Sequence, residues 1–153
     1  MRNDVKAKKI EENLFISGAI FQEDLPNLLD LGITAIVNLM PSRHYNPPPE
    51  LAFLHEGFPD GTFIPMDTLD RILEFVVTQM EQGKVLVHCA AGISRSGGII
   101  IGALLCKHPK WDWNDALEHV RQKRYVMPAF EIKESIFDYF RTRKGRNLGS
   151  LFH

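Results

Sequence analysis

Short runs of β-branched and aliphatic residues alternate along the chain with segments whose apolar positions recur at three and four. "NLFISG" (13–18) and "ITAIVNL" (33–39) predict strands bounded by turn residues. Between them, "QEDLPNLLDLG" (22–32) places Leu25, Leu28 and Leu29 on one face and predicts a short helix stopped at Gly32. Four prolines make "MPSRHYNPPPE" (40–50) a loop, "FLHEGF" (53–58) predicts a further strand, and "PDGTFIP" (59–65) is a turn. Leu69, Ile72, Leu73, Val76, Val77 and Met80 give "MDTLDRILEFVVTQMEQG" (66–83) the period of an amphipathic helix. "KVLVHC" (84–89) is almost wholly apolar, as suits a strand covered on both faces. Helices are predicted over 95–107, 113–124 and 129–143, the last two separated by Met127-Pro128.

Strands that alternate with helices predict an α/β fold: a central, mostly parallel β-sheet flanked by helices, with the helical C-terminal third on one face. Ligands of such sheets bind beyond the carboxyl ends of the strands. The 153 residues suit one domain, with a core over about 9–143 and a loosely held tail over 144–153.

Composition narrows the function classes. Eighteen Lys and Arg against nineteen Asp and Glu leave a net charge of −1, which gives no support for a nucleic-acid or membrane-surface protein. Cys89 and Cys106 are too few for a disulfide framework, and the charged N-terminus has no apolar run of signal-peptide type. The longest apolar stretch, Gly97 to Cys106, is about half of a membrane-spanning helix. The expectation is a reduced, cytoplasmic, monomeric protein.

The chemistry concentrates in "VLVHCAAGISRSGGIII" (85–101), where the apolar strand stops at His88-Cys89 and a helix opens at Arg95. If the loop curls over the helix start, the backbone N–H groups of Ala90, Ala91, Gly92, Ile93 and Ser94 line an anion site at the positive end of a helix dipole. Arg95 adds a planar fork suited to two oxygens of a tetrahedral phosphate. Cys89 lies at the floor, where the same field favours thiolate over thiol. Nucleophile and phosphorus are thereby stacked for covalent catalysis through a phosphocysteine. Ser96 can donate to the sulfur and help it leave. His88, adjacent on the strand, points to the opposite face and is expected to act structurally.

"HCAAGISRS" resembles the signature loop of the cysteine-based protein tyrosine phosphatases, most closely the small dual-specificity and archaeal-type enzymes. "LFISG", "GITAIVNL", "FPDGTFIP", "GKVLVHC" and "DALEHVRQKR" resemble family segments in the same order, over most of residues 9–140. The resemblance implies a dual-specificity-phosphatase-like fold, no cofactor or metal, phosphorylated protein substrates and a general acid on a mobile loop. Asp60, Asp67 and Asp70 compete for that role. Asp60 is preferred, because it sits in a Pro/Gly-flanked turn 29 residues before Cys89, whereas the other two fit the capping of a helix.

Other readings are weaker. Zinc on His88, Cys89, Cys106 and His108 would need two adjacent strand residues on one ion, without the usual spacing. Ser96 stands where a hydrolase elbow requires glycine, and a nucleotide-binding P-loop would require a lysine. Cys106 reads as core, as do Trp111 and Trp113; Tyr45 or His44 is a candidate wall for a phosphotyrosine ring. The expected function is hydrolysis of phosphotyrosine, with phosphoserine and phosphothreonine as further substrates. RNA 5′-triphosphate hydrolysis and phospho-ligand binding without turnover are the alternatives.

Overall fold

The computed structural model describes residues 6–142; the tail expected over 144–153 lies outside them. Five strands form one sheet: β1 (Lys8–Glu11), β2 (Leu14–Ser17), β3 (Ala35–Asn38), β4 (Ala52–His55) and β5 (Val85–His88). Their order is β1-β2-β5-β3-β4. Pairs β2–β5, β5–β3 and β3–β4 are parallel, and β1 adds an antiparallel edge. The predicted "KVLVHC" run thus lies at the centre of the sheet, with every residue of β5 buried.

The helices are α1 (Leu25–Leu31), entered through a 3₁₀ turn at Gln22–Asp24, α2 (Met66–Gln82), α3 (Arg95–Lys107), α4 (Trp113–Arg121) and α5 (Phe130–Thr142). Alternation along the strands divides the core in two. Ile16, Val37, Val85 and Val87 face α2, α3 and α5, through Leu73, Val76, Ile100 and Ile136. Phe15, Ile36 and Leu86 face the other way, onto Leu25, Leu28 and Ile33.

β1 was not among the predicted strands. Only Ile10 of its four residues is buried, so it carries no alternating pattern, and it is held by backbone pairing to β2. α3 runs through the core, with Ile99, Ile100, Ile101, Ala103 and Leu104 all fully covered. Gly98 lets it approach α5: a β-carbon there would overlap Ile132. Among the described residues no helix is long and apolar enough to cross a membrane.

Candidate functional site

The loop from Cys89 to Ser94 leaves the carboxyl end of β5 and enters α3 at Arg95. Ser94 makes no side-chain cap to α3, so the first-turn N–H groups stay available to the loop's interior. Three groups converge on the buried Cys89 sulfur: Gly92 N–H and Ser96 N–H donate to it at 3.3 Å and 3.4 Å, and Ser96 Oγ shares a hydrogen bond with it at 3.2 Å.

A peptide plane carries its C=O and the following N–H on opposite sides. Amides that face inward therefore require carbonyls that face outward, each needing a donor. All four are supplied by other segments. Ala19 N–H bonds Ala90 O at 2.9 Å, and Met127 N–H bonds Ile93 O at 3.0 Å. Arg124 takes the middle pair, Nη2 on Ala91 O and Nε on Gly92 O, both at 2.9 Å. The N–H groups of Ala91, Gly92, Ile93 and Ser94 consequently turn into the concavity. Gly92 makes the bend at φ 72°, a left-handed conformation that side chains resist. A β-carbon there would also come within 2.6 Å of Gly18 N and Arg124 Nη2.

Arg95 donates from Nη1 to Phe58 O at 3.1 Å, while its Nε is buried without a partner. Ser94 Oγ donates to Asp60 Oδ1 at 2.7 Å and accepts Ala129 N–H at 2.9 Å. Asp60 Oδ1 also accepts Gly61 N–H at 2.9 Å. One serine thus joins the signature loop, the 59–65 turn and the start of α5. The other two aspartates lie elsewhere. Asp67 is exposed in the first turn of α2 beside Arg71, and Asp70 accepts a hydrogen bond from Tyr139 Oη at 3.1 Å.

His88 occupies the opposite side of β5. Its Nε2 shares a 2.6 Å hydrogen bond with Tyr45 Oη, and burial holds the imidazole down to about 4, against an ordinary 6.5. Burial also raises the Tyr45 phenol well above its usual range. This corrects the expectation for Tyr45 as a wall for a substrate ring. It packs inside the second core cluster, edge-on to Phe53, and His44 alone of that pair remains exposed. Loop 40–45 folds inward because Asn38 Oδ1 takes Met40 N–H while Nδ2 reaches Ser42 O and Arg43 O.

The remaining candidates are distant in chemistry. Cys106 packs with Val77 and Phe140, and burial raises its thiol. His108 stacks on Trp111 at 3.9 Å and bonds Glu11 at 2.8 Å, and Trp113 packs edge-on to Phe137. Sequence reasoning missed Arg124. Its local context, "RQKRY" (121–125), looks like an exposed basic turn, and the signals available were the resemblance of "DALEHVRQKR" to a family segment and the loop's own need for outward donors.

The "Dual specificity phosphatase, catalytic domain" family matches residues 14–142. Among curated proteins, mouse dual specificity protein phosphatase 2 is 30% identical over 120 residues, 74% of this chain and 36% of the relative. A Dictyostelium discoideum MAP kinase phosphatase with leucine-rich repeats is 29% identical over 136 residues, 86% of this chain and 16% of the relative. The chain therefore spans well under half the length of these curated relatives. In three dimensions it resembles human tyrosine phosphatase-like serine/threonine/tyrosine-interacting protein, with TM-score 0.80, 22% identity and coverage of 92% and 99% of the two chains. The family match runs from β2 to the end of α5, taking in four of the five strands and every α-helix, and on that extent the chain belongs to the dual specificity phosphatase family.

Proposed function

We propose that this chain hydrolyses phosphotyrosine in phosphorylated proteins, with phosphoserine and phosphothreonine as further substrates where they reach the sulfur. The observation that carries the reading is the pairing of the Cys89 sulfur, ringed by donors, with the buried and unpartnered Arg95 Nε at the same helix start. An unpaired buried donor costs about 1–3 kcal/mol, which a phosphate oxygen would recover.

In the first step the Cys89 thiolate forms a bond to phosphorus, and the bond from phosphorus to the tyrosyl oxygen breaks. Protonated Asp60 gives its proton to that oxygen, so tyrosine leaves neutral. The inward amides of the loop and Arg95 hold the equatorial oxygens as charge spreads over them. In the second step a water oxygen bonds to phosphorus, the Asp60 carboxylate takes the water's proton, and the S–P bond breaks. Inorganic phosphate departs and the thiolate is regenerated, with Ser96 Oγ donating to it. Ser94 and Gly61 fix Asp60 Oδ1, which leaves Oδ2 for the proton transfers. No metal enters either step.

The test is phosphate release from matched phosphotyrosine, phosphoserine and phosphothreonine peptides, with Cys89→Ser alongside. Cysteine-dependent release from any of them supports the reading, and residual activity above a few per cent in the variant would remove Cys89 as nucleophile. Peptide binding without release would favour a phospho-ligand binding module. Release from RNA 5′-triphosphates alone would move the substrate to nucleic acid.

A further inference from the structure

Seven large apolar side chains stand out in solvent among the described residues, and their distribution is uneven. Phe63 is 62% exposed, Ile93 37%, Tyr125 55%, Met127 56% and Phe130 66%. These five lie on the three segments that meet at Ser94. Phe63 follows Asp60 in the turn whose carboxylate Ser94 holds, and Ile93 precedes Ser94 in the loop. Met127 N–H is bonded to Ile93 O, Tyr125 Oη to Met127 Sδ at 3.5 Å, and Phe130 follows Ala129, whose N–H is bonded to Ser94 Oγ. Scattered exposed apolar residues need no explanation, whereas a contiguous group beside a functional site marks an interaction surface.

We propose that these side chains form an apolar collar around the mouth of the Cys89 cradle, and that its occupant is a phosphorylated peptide with apolar residues next to the phosphoresidue. The inference rests on the phosphatase reading above and specifies its substrate. Continuity fixes the location: a peptide whose phosphate sits in the cradle must lay its neighbouring residues across the rim. Charge fixes the chemistry. The arginines of the adjoining segments are engaged, Arg124 on two loop carbonyls and Arg121 on Val126 O and the face of Tyr125. Of that segment's cations Lys123 is left exposed, so a polyanionic flank or head group meets few free cations. Apolar side chains gain burial there without a desolvation cost.

The experiment compares kcat/KM for phosphotyrosine peptides that carry leucine and isoleucine, or glutamate, at the two positions on either side, each divided by kcat/KM for a small aryl phosphate. The apolar peptide is expected to exceed the acidic one by about tenfold, the discrimination of one leucine-sized contact. The double variant Met127→Ser/Phe130→Ser is expected to lose most of that preference. Both side chains are exposed, so their removal opens no cavity. Leu29→Ser, on α1 and also exposed, is the control that keeps the preference. Equal use of the two peptides, or preference for glutamate, while the aryl phosphate is still turned over would overturn the collar and leave the phosphatase reading standing. Faster hydrolysis of a phospholipid in neutral vesicles than of the apolar peptide would also overturn it, in favour of a lipid surface. No turnover of any ester would refute the phosphatase reading, and the collar's substrate with it.

Discussion

His88 makes the fold sensitive to mild acid by an amount the structure sets. Burial lowers its imidazole to about 4, whereas in the unfolded chain it titrates near 6.5. Between these values the unfolded chain binds a proton that the folded chain refuses, so stability present above pH 6.5 is lost as the pH falls toward 4. For one such group the linkage relation gives a loss of about 2 kcal/mol between pH 7 and pH 5. The residue is fully covered, so solvent screening does not reduce the figure. The other histidines and the carboxylates titrate as well, and a difference measurement removes them. Urea unfolding of the native chain and of His88→Gln, each at pH 7 and pH 5, isolates the contribution. Glutamine keeps a hydrogen-bonding group toward Tyr45 Oη and cannot titrate. The variant is expected to lose about 2 kcal/mol less than the native chain over that interval, whatever its stability at pH 7. Equal losses in the two proteins would refute the buried neutral imidazole.

Three further outcomes follow from the site. Asp60→Asn should slow hydrolysis of an aryl phosphate with a poor leaving group by about 100-fold or more, and of one with a good leaving group by far less, measured as kcat; if Asp67→Asn shows that pattern instead, the acid is misassigned. Arg124→Ala should orphan two loop carbonyls, cost about 1–3 kcal/mol in urea unfolding and lower kcat/KM for a small aryl phosphate by at least about tenfold. Arg124→Lys should fail to restore it, since one ammonium cannot reproduce a fork that spans Ala91 O and Gly92 O, and full rescue by lysine would contradict the geometry. Gly92→Ala should cost at least about 1 kcal/mol and abolish turnover, because φ 72° and the nearby Gly18 backbone both exclude a β-carbon; retention of native stability and rate would show that the loop can bend otherwise.

What could be read from the sequence was whatever a short window encodes. α2 has a strong apolar period, β5 and α3 are nearly continuous apolar runs, and the abrupt change from Val87 to the small residues after Cys89 marks the loop. The placing of Asp60 in a turn, and of Asp67 and Asp70 at a helix start, was legible because Pro59 and Gly61 announce the turn; the acid role given to Asp60 is a proposal. The features missed are those decided across the chain. β1 exists through its pairing to β2 and has a single inward side chain. Tyr45 turns inward because Asn38 gathers its loop and His88, 43 residues away in sequence, offers a buried partner. Arg124 has a defined task only once α4 brings it under carbonyls more than 30 residues earlier.

The outward-facing carbonyls carry a consequence for engineering. The nine residues "HCAAGISRS" cannot be moved as a cassette, because the carbonyls of Ala90, Ala91, Gly92 and Ile93 are completed by scaffold: Ala19 after β2, Arg124 after α4, and Met127 before α5. A host protein given the motif alone would have to leave four carbonyls dry or rotate them toward the ligand, and rotation would present oxygen lone pairs to an anion. The portable unit is the motif together with its three remote donors, spanning residues 19 to 127.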